Sequence, residues 1–229
     1  MGGWVRQAVV SAALFGAVIM SLSSEAQPAS PSPLDRQLMV AAEQGDVEAV
    51  KHALREGVAI DIRDDHRRTP LMAAVQNNRI ETARVLIEAG ADVNAKDAIE
   101  DSPYLLAGAR GYLDILRLAL AHGADLKSTN RFGGTALIPA SERGHVETVQ
   151  TLIAAGVDVD HVNKLGWTAL LEAIILSDGG PRHVEIVRLL IEAGASVDLA
   201  DKDGITPIEH ARRRGYREIE RLLAAAGAR

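Results

Sequence analysis

Apolar and polar positions recur along the chain with a period of 33 residues. The pairs Gly57-Val58, Gly90-Ala91, Gly123-Ala124, Gly156-Val157 and Gly194-Ala195 follow one another at intervals of 33, 33, 33 and 38 residues. A second landmark has the same spacing, at Thr69-Pro70, Ser102-Pro103, Thr135-Ala136, Thr168-Ala169 and Thr206-Pro207. Two independent landmarks that agree, including on one five-residue insertion, indicate a repeat protein built from stacked units.

Each unit carries the signals of two helices. Thr or Ser before Pro is typical of a helix start, because the hydroxyl caps an N–H group and Pro needs no N–H at the first position. The recurring Gly is typical of a helix end with left-handed backbone. An Ala at one position of the first helix predicts that neighbouring helices approach closely. This residue is conserved through all six units, at Ala41, Ala74, Ala107, Ala140, Ala173 and Ala211.

The units resemble ankyrin repeats. The second unit shows the pattern most plainly, with Thr69-Pro70-Leu71 before the first helix and Gly90-Ala91-Asp92-Val93-Asn94 after the second. The resemblance covers about residues 34–229 and implies an all-α solenoid of about six helix-turn-helix units with β-turn or hairpin tips. The expected units are residues 34–63, 64–96, 97–129, 130–162, 163–200 and 201–229, here called units one to six.

Two features depart from the family pattern. Its histidine after Thr-Pro-Leu is absent from every unit, so we expect packing to replace the hydrogen bonds of that histidine. Arg67 and Glu100 also occupy a turn position where the family prefers Gly, as at Gly133, Gly166 and Gly204. The turns that open units two and three are therefore the least regular that the sequence predicts.

The first 26 residues have the layout of a secretory signal peptide. Arg6 is followed by an apolar, uncharged run of about 15 residues, shorter than the ~20 that a membrane-spanning helix needs. Small residues at Ser24 and Ala26 predict cleavage after Ala26. The stretch 163–170, followed by the Gly-rich insertion, resembles bacterial exported ankyrin-repeat proteins, and this resemblance implies a periplasmic location. Residues 27–33 then read as a Pro/Ser-rich linker. An uncleaved N-terminus would instead anchor the chain in a membrane.

Composition excludes several classes of function. The chain has 229 residues, a net charge of -6 and no Cys. Thiol catalysis, disulfides and zinc–thiolate sites are therefore excluded, and the acidic balance argues against nucleic acid as a partner. No motif of a hydrolase, zinc protease or phosphate-binding loop occurs. We expect neither an enzyme, nor a cofactor, nor a metal.

The sequence predicts a partner-binding surface at the tips of the middle units. Ile99, Phe132 and Leu165 recur at 33-residue intervals, so stacking would set them side by side; we call these three residues the apolar ridge. An exposed apolar strip with a polar rim favours protein binding, although the same side chains could merely pack on one another. The further candidate contacts near the tips and on the inner face of the first helices are Trp167, Arg110, Arg131, Glu142, Arg143, Lys164, Ile175 and Leu176.

The predicted function is recognition of a protein by a monomeric periplasmic module. The resemblance implies binding through the repeat tips and the inner helix face, and the insertion around 177–181 could add a lip beside that surface. Two alternatives remain within the binding class: an inhibitor or immunity protein for a toxic enzyme, and a membrane-tethered scaffold. An enzyme with an unrecognised site would need converging titratable residues, whereas the acids and histidines here scatter over slots that the repeat defines.

Overall fold

The computed structural model describes residues 32–229, which are helical and contain no β-strand. The predicted all-α fold is confirmed. Twelve helices follow one another in pairs. They are α1 (Pro33–Gln44), α2 (Val47–Arg55), α3 (Pro70–Gln76), α4 (Ile80–Glu88), α5 (Pro103–Arg110), α6 (Leu113–Ala121), α7 (Leu137–Glu142), α8 (Val146–Ala154), α9 (Ala169–Ile175), α10 (Pro181–Glu192), α11 (Pro207–Arg214) and α12 (Arg217–Ala225). The expected signal peptide and most of the linker lie outside the described residues. Between residues 32 and 229, no helix is long and apolar enough to cross a membrane.

The helices form two layers. The first helix of each pair packs on the first helix of the next pair, from α1 through to α11, and the second helices do the same from α2 to α12. The apolar core lies between the layers and runs without a break from Leu38 to Leu223. All six alanines of the first helices are buried, five of them completely. The first helices therefore touch through methyl groups, as the recurring Ala predicts.

Hydroxyl side chains cap most of the first helices. Thr69, Ser102, Thr168 and Thr206 each accept a hydrogen bond from the main-chain N–H three residues later. Thr135 does not, and its buried hydroxyl has no partner in the described chain. In this unit α7 starts only at Leu137, and the N–H of Ile138 donates to the main-chain oxygen of Thr135 instead, at 3.3 Å. The predicted cap therefore fails in unit four.

The five-residue insertion lengthens a helix as well as a loop. α10 has 12 residues, whereas the other five second helices have nine. The added helical turn begins at Pro181. The loop between α9 and α10 therefore consists of residues 176–180, which are Leu176 and the rest of the insertion. Tyr216 of the last unit donates its hydroxyl to the main-chain oxygen of Ser177 at 2.6 Å. His183 is buried and contacts the main-chain oxygen of Glu142 at 2.9 Å. The loop therefore contacts unit six, and the first turn of α10 contacts unit four.

Side chains that follow the second helices join one unit to the next. An Asp or Asn side chain of one unit accepts a hydrogen bond from a main-chain N–H of the next unit, over 2.8 to 3.3 Å. The four pairs, acceptor first, are Asp61 and Asp92, Asn94 and Asp125, Asp160 and Ser196, and Asp198 and Arg229. The equivalent residue of unit three is Lys127, which cannot accept a hydrogen bond. Within residues 32–229, this row of bonds is therefore interrupted only between units three and four.

Replacing Ala107 or Ala140 by Leu should destabilise the fold. Both side chains are completely buried, and an added isobutyl group would force neighbouring first helices apart, at a cost of about 1–3 kcal/mol. Urea unfolding followed by circular dichroism measures this change, and Ala224→Leu on the exposed side of α12 is the control. An unchanged midpoint for both core variants would contradict close stacking at these positions.

Candidate functional site

An Asp or Asn residue shapes the tip of each unit from two to six. Asn130, for example, accepts through its Oδ1 from the N–H of Phe132 at 2.9 Å and of Gly134 at 3.1 Å. Asp97 and Asn163 hold Ile99 and Leu165 in the same way. Such side-chain-to-backbone bonds fix a tight turn. The backbone of each apolar ridge residue is therefore positioned by the residue two places before it.

The tips of units two and three carry backbone strain. Arg67 and Glu100 have φ angles of 58° and 64°, in the same turn position where Gly133 has 72°. This left-handed region favours Gly, because a side chain crowds the main chain there. Units two and three therefore adopt the family turn despite the unfavourable residues, and the less regular turns expected there are not observed.

The apolar ridge is exposed. Ile99, Phe132 and Leu165 expose 52%, 49% and 49% of their surface, so packing on one another does not bury them. The main-chain N–H of Lys164 donates to the oxygen of Phe132 at 2.9 Å, which ties two adjacent tips together. Half-exposed apolar side chains held on a fixed backbone make a surface that protein partners can bury.

The ridge forms one wall of a groove across units three to five. The groove has a volume of about 390 Å³ and extends from the tips to the ends of the first helices. It brings together eight of the predicted contacts: Ile99, Phe132, Leu165, Arg110, Arg131, Glu142, Arg143 and Leu176. The tips and the inner helix face, which the sequence predicted as separate stretches, therefore share one surface.

Three predicted contacts lie elsewhere. Ile175 is 9% exposed, because α9 is packed against α7, α10 and α11. The side chain therefore offers a partner little surface, and its contact with a partner stays a prediction. Trp167 is half-buried and does not line the groove. Lys164 is exposed beside the groove, and its Nζ donates to the main-chain oxygen of Arg131 at 2.8 Å.

Charged side chains surround the ridge. The guanidinium of Arg131 lies 4.6 Å from the centre of the Phe132 ring, which is a cation–π contact. The same side chain lies 3.8 Å from the carboxylate of Asp101. Arg143 donates to the main-chain oxygen of Ala109 at 2.6 Å. These contacts hold two of the arginines in place at the edge of the apolar surface.

A buried carboxyl group lies in the groove. Glu172 is 5% exposed and accepts a hydrogen bond from the side-chain amide of Asn163 at 2.7 Å. Burial, followed by the negative charge of the neighbouring Glu142, raises the pKa of Glu172 to about 7, against the hydrogen bond from Asn163 and the positive charge of Arg143. The groove therefore contains an acid that is about half protonated near neutral pH.

Sequence reasoning missed Asp101, Asn163 and Glu172. A usable signal was present for Glu172, because the same slot in the other units holds residues without a negative charge: Val40, Ala73, Leu106, Pro139 and His210. The recurring Asp and Asn at the tips also share the repeat interval. Within residues 32–229, no three His, Asp or Glu residues come together as a metal-binding group. The arrangement is that of a binding surface with mixed charge.

Replacing Glu172 by Gln should change how stability depends on pH. The pKa in the folded chain lies above the usual 4.5, so the folded chain binds more protons than the unfolded one between these values. The contribution of Glu172 to wild-type stability therefore falls as the pH rises from about 4.5 to about 7. Above pH 7 we expect the variant to be more stable, by on the order of 1–3 kcal/mol. Gln keeps an oxygen for Asn163.

Urea unfolding between about pH 5 and about pH 8 measures this difference. Glu147→Gln is the matched control, because Glu147 is exposed on α8 and its replacement should leave the pH dependence as in wild type. Parallel stability curves for wild type and Glu172→Gln would show that the carboxyl group is not protonated in this range.

Comparison with known proteins agrees with the repeat architecture. The family model described as ankyrin repeats (3 copies) matches residues 11–97 and 104–201. No curated protein sequence matches the chain significantly. An ankyrin repeat domain from Acinetobacter baumannii AYE is 66% identical, with a TM-score of 0.82, and the match covers 84% of this chain and 98% of that one.

Two other solved structures are similar over most of their length. The ankyrin repeat protein EF0377 is 44% identical with a TM-score of 0.80, covering 83% of this chain and 97% of its own. The ankyrin repeat domain of Bcl-3, a member of the IkappaB family, is 31% identical with a TM-score of 0.75, covering 84% and 86%. With twelve stacked helices, the recurring turn geometry and these matches, the chain belongs to the ankyrin-repeat family.

Proposed function

We propose that this chain is a non-catalytic interaction module of the bacterial periplasm, which binds a protein partner through the groove of units three to five. Ankyrin-repeat domains are protein-interaction modules. The observation that carries the proposal for this chain is the apolar ridge, whose three side chains are half-exposed on one wall of a groove. Exposed apolar side chains beside charged ones are where binding energy concentrates in protein interfaces.

The groove is better suited to recognition than to catalysis. Two of its arginines are already held, Arg131 by the carboxylate of Asp101 and Arg143 by the main-chain oxygen of Ala109. Catalysis would need a nucleophile or base aimed at one point in a water-excluding pocket. The groove is instead open along its length and offers a row of side chains, which suits an extended contact.

The N-terminal sequence supports export. An apolar run of about 15 residues between Arg6 and the small residues Ser24 and Ala26 matches a signal peptide better than a membrane span. We expect the exported chain to begin at Gln27. Intact-mass measurement of the chain purified from a bacterial host tests this expectation, with Ala26→Arg as a variant that should stay uncleaved. A full-length mass in the membrane fraction would favour the membrane-tethered scaffold instead.

Loss of the apolar ridge should abolish partner binding. We expect a chain tagged at its C-terminus to capture a specific protein from a periplasmic extract, and Ile99→Ser/Phe132→Ser/Leu165→Ser to lose it, because the contacts that exclude water are gone. The matched control is Leu34→Ser/Val40→Ser/Leu199→Ser, which removes three other exposed apolar side chains that do not line the groove. Circular dichroism checks that both variants are folded.

The result separates the possible sites and roles. Equal capture by both variants would contradict the ridge as the site, and capture by none of the three proteins would contradict the binding proposal. An enzyme whose activity disappears on binding would identify an inhibitor or immunity protein. A partner that remains active would identify a scaffold.

A further inference from the structure

Cationic side chains stand beside the apolar ridge on the tips. Arg131 and Lys164 directly precede Phe132 and Leu165, and Lys202 has the same position in unit six. All three are exposed. The ammonium groups of Lys164 and Lys202 each donate to a main-chain oxygen of the preceding tip, at Arg131 and Lys164 respectively. These bonds hold the positive charges in a row along the tips.

A second pair of cations lies on the inner side of the groove. Arg110 ends α5 and Arg143 follows α7 in the equivalent position, and both are exposed and line the groove. The acids of the groove lie deeper, because Asp101 and Glu142 are half-buried and Glu172 is buried. A partner that approaches the ridge therefore meets apolar and positive groups first, on a chain whose net charge is -6.

This charge pattern is local. We call Arg131, Lys164 and Lys202 the tip row. At the same position, units two and three carry Asp65 and Ala98, which are not cationic. We call Arg110 and Arg143 the inner row. At the same position, units one and two carry the uncharged Gln44 and Asn77. The ridge occupies units three to five, the inner row units three and four, and the tip row units four to six. Both rows therefore overlap the ridge, and in unit four they flank it on both sides.

We propose that the groove binds an extended segment of a protein partner that carries apolar and acidic side chains together. This proposal rests on the proposed function and adds the chemistry of the partner. The apolar side chains of the segment cover Ile99, Phe132 and Leu165, and its carboxylates face the arginines and lysines on either side. Attraction between the opposite charges sets the register and accelerates encounter, and salt screens it.

Three synthetic peptides of equal length and equal Leu/Phe content test the proposal. They differ only in their polar residues, which are Asp/Glu in one, Ser/Gln in the second and Lys in the third. Binding to the full-length chain is followed by the fluorescence anisotropy of labelled peptides at low and at physiological salt. We expect the acidic peptide to bind at least about tenfold more tightly than the neutral one at low salt, the Lys peptide to bind most weakly, and the difference to shrink with added salt.

Charge-reversal variants show whether the named residues are responsible. Arg110→Glu/Arg143→Glu should remove most of the preference for the acidic peptide. Arg110→Glu alone should reduce it without disturbing the fold, because the Arg110 side chain makes no hydrogen bond within residues 32–229. The control is Arg117→Glu, the same charge change on an exposed position of α6, which should leave the preference unchanged. The ridge variant should bind none of the peptides.

Each other outcome overturns the proposal. Equal binding of the acidic and neutral peptides, strongest binding of the Lys peptide, or no binding of any of them would show that the groove does not recognise an acidic, apolar segment. Tighter binding of a single-stranded oligonucleotide than of the acidic peptide would overturn it as well. The proposed function would still be judged separately, because ridge-dependent capture of a periplasmic protein can succeed whichever peptide is preferred.

Discussion

Close contact between first helices is the constraint on which the rest of the structure depends. No single pair of helices here can bury its own apolar face, so each unit is stable only against its neighbours. The buried alanines set the distance between those neighbours. Because the distance is the same from unit to unit, residues 33 positions apart come to lie next to each other, and a row of equivalent residues becomes a continuous surface. The apolar ridge exists for this reason.

The tips use the regular stack to position a less regular surface. The Asp or Asn at the start of each tip holds the backbone in one conformation, while the residue two places later is free to vary. That residue is apolar in units three, four and five and is His66 or Asp203 in the flanking units. The tips therefore share one backbone conformation, and they differ in the side chain that each of them presents.

Much of the fold could be predicted from sequence because the repeat supplies several independent measurements of one structure. The alanines, the glycines after the second helices and the side-by-side placement of the ridge residues all follow from the alignment of the units, whereas the exposure of the ridge does not. What could not be predicted depends on contacts that the alignment does not contain. The burial of Ile175 results from three helices packed around α9. The burial of Glu172 and the shifted pKa of its carboxyl group likewise need the three-dimensional surroundings. The insertion was visible, but its division between loop and helix was not.

The interrupted row of hydrogen bonds at Lys127 has a mechanical consequence. At four of the five junctions between units, an Asp or Asn side chain accepts a hydrogen bond from the backbone of the next unit. The fifth junction, between units three and four, lacks this bond within residues 32–229. The groove spans that junction. The side-chain contacts that cross this junction lie on the groove instead: Arg143 donates to the main-chain oxygen of Ala109, and Arg131 pairs with Asp101. A ligand bound in the groove therefore touches the same arginines that join units three and four, so its binding bears directly on how firmly these two units are held together.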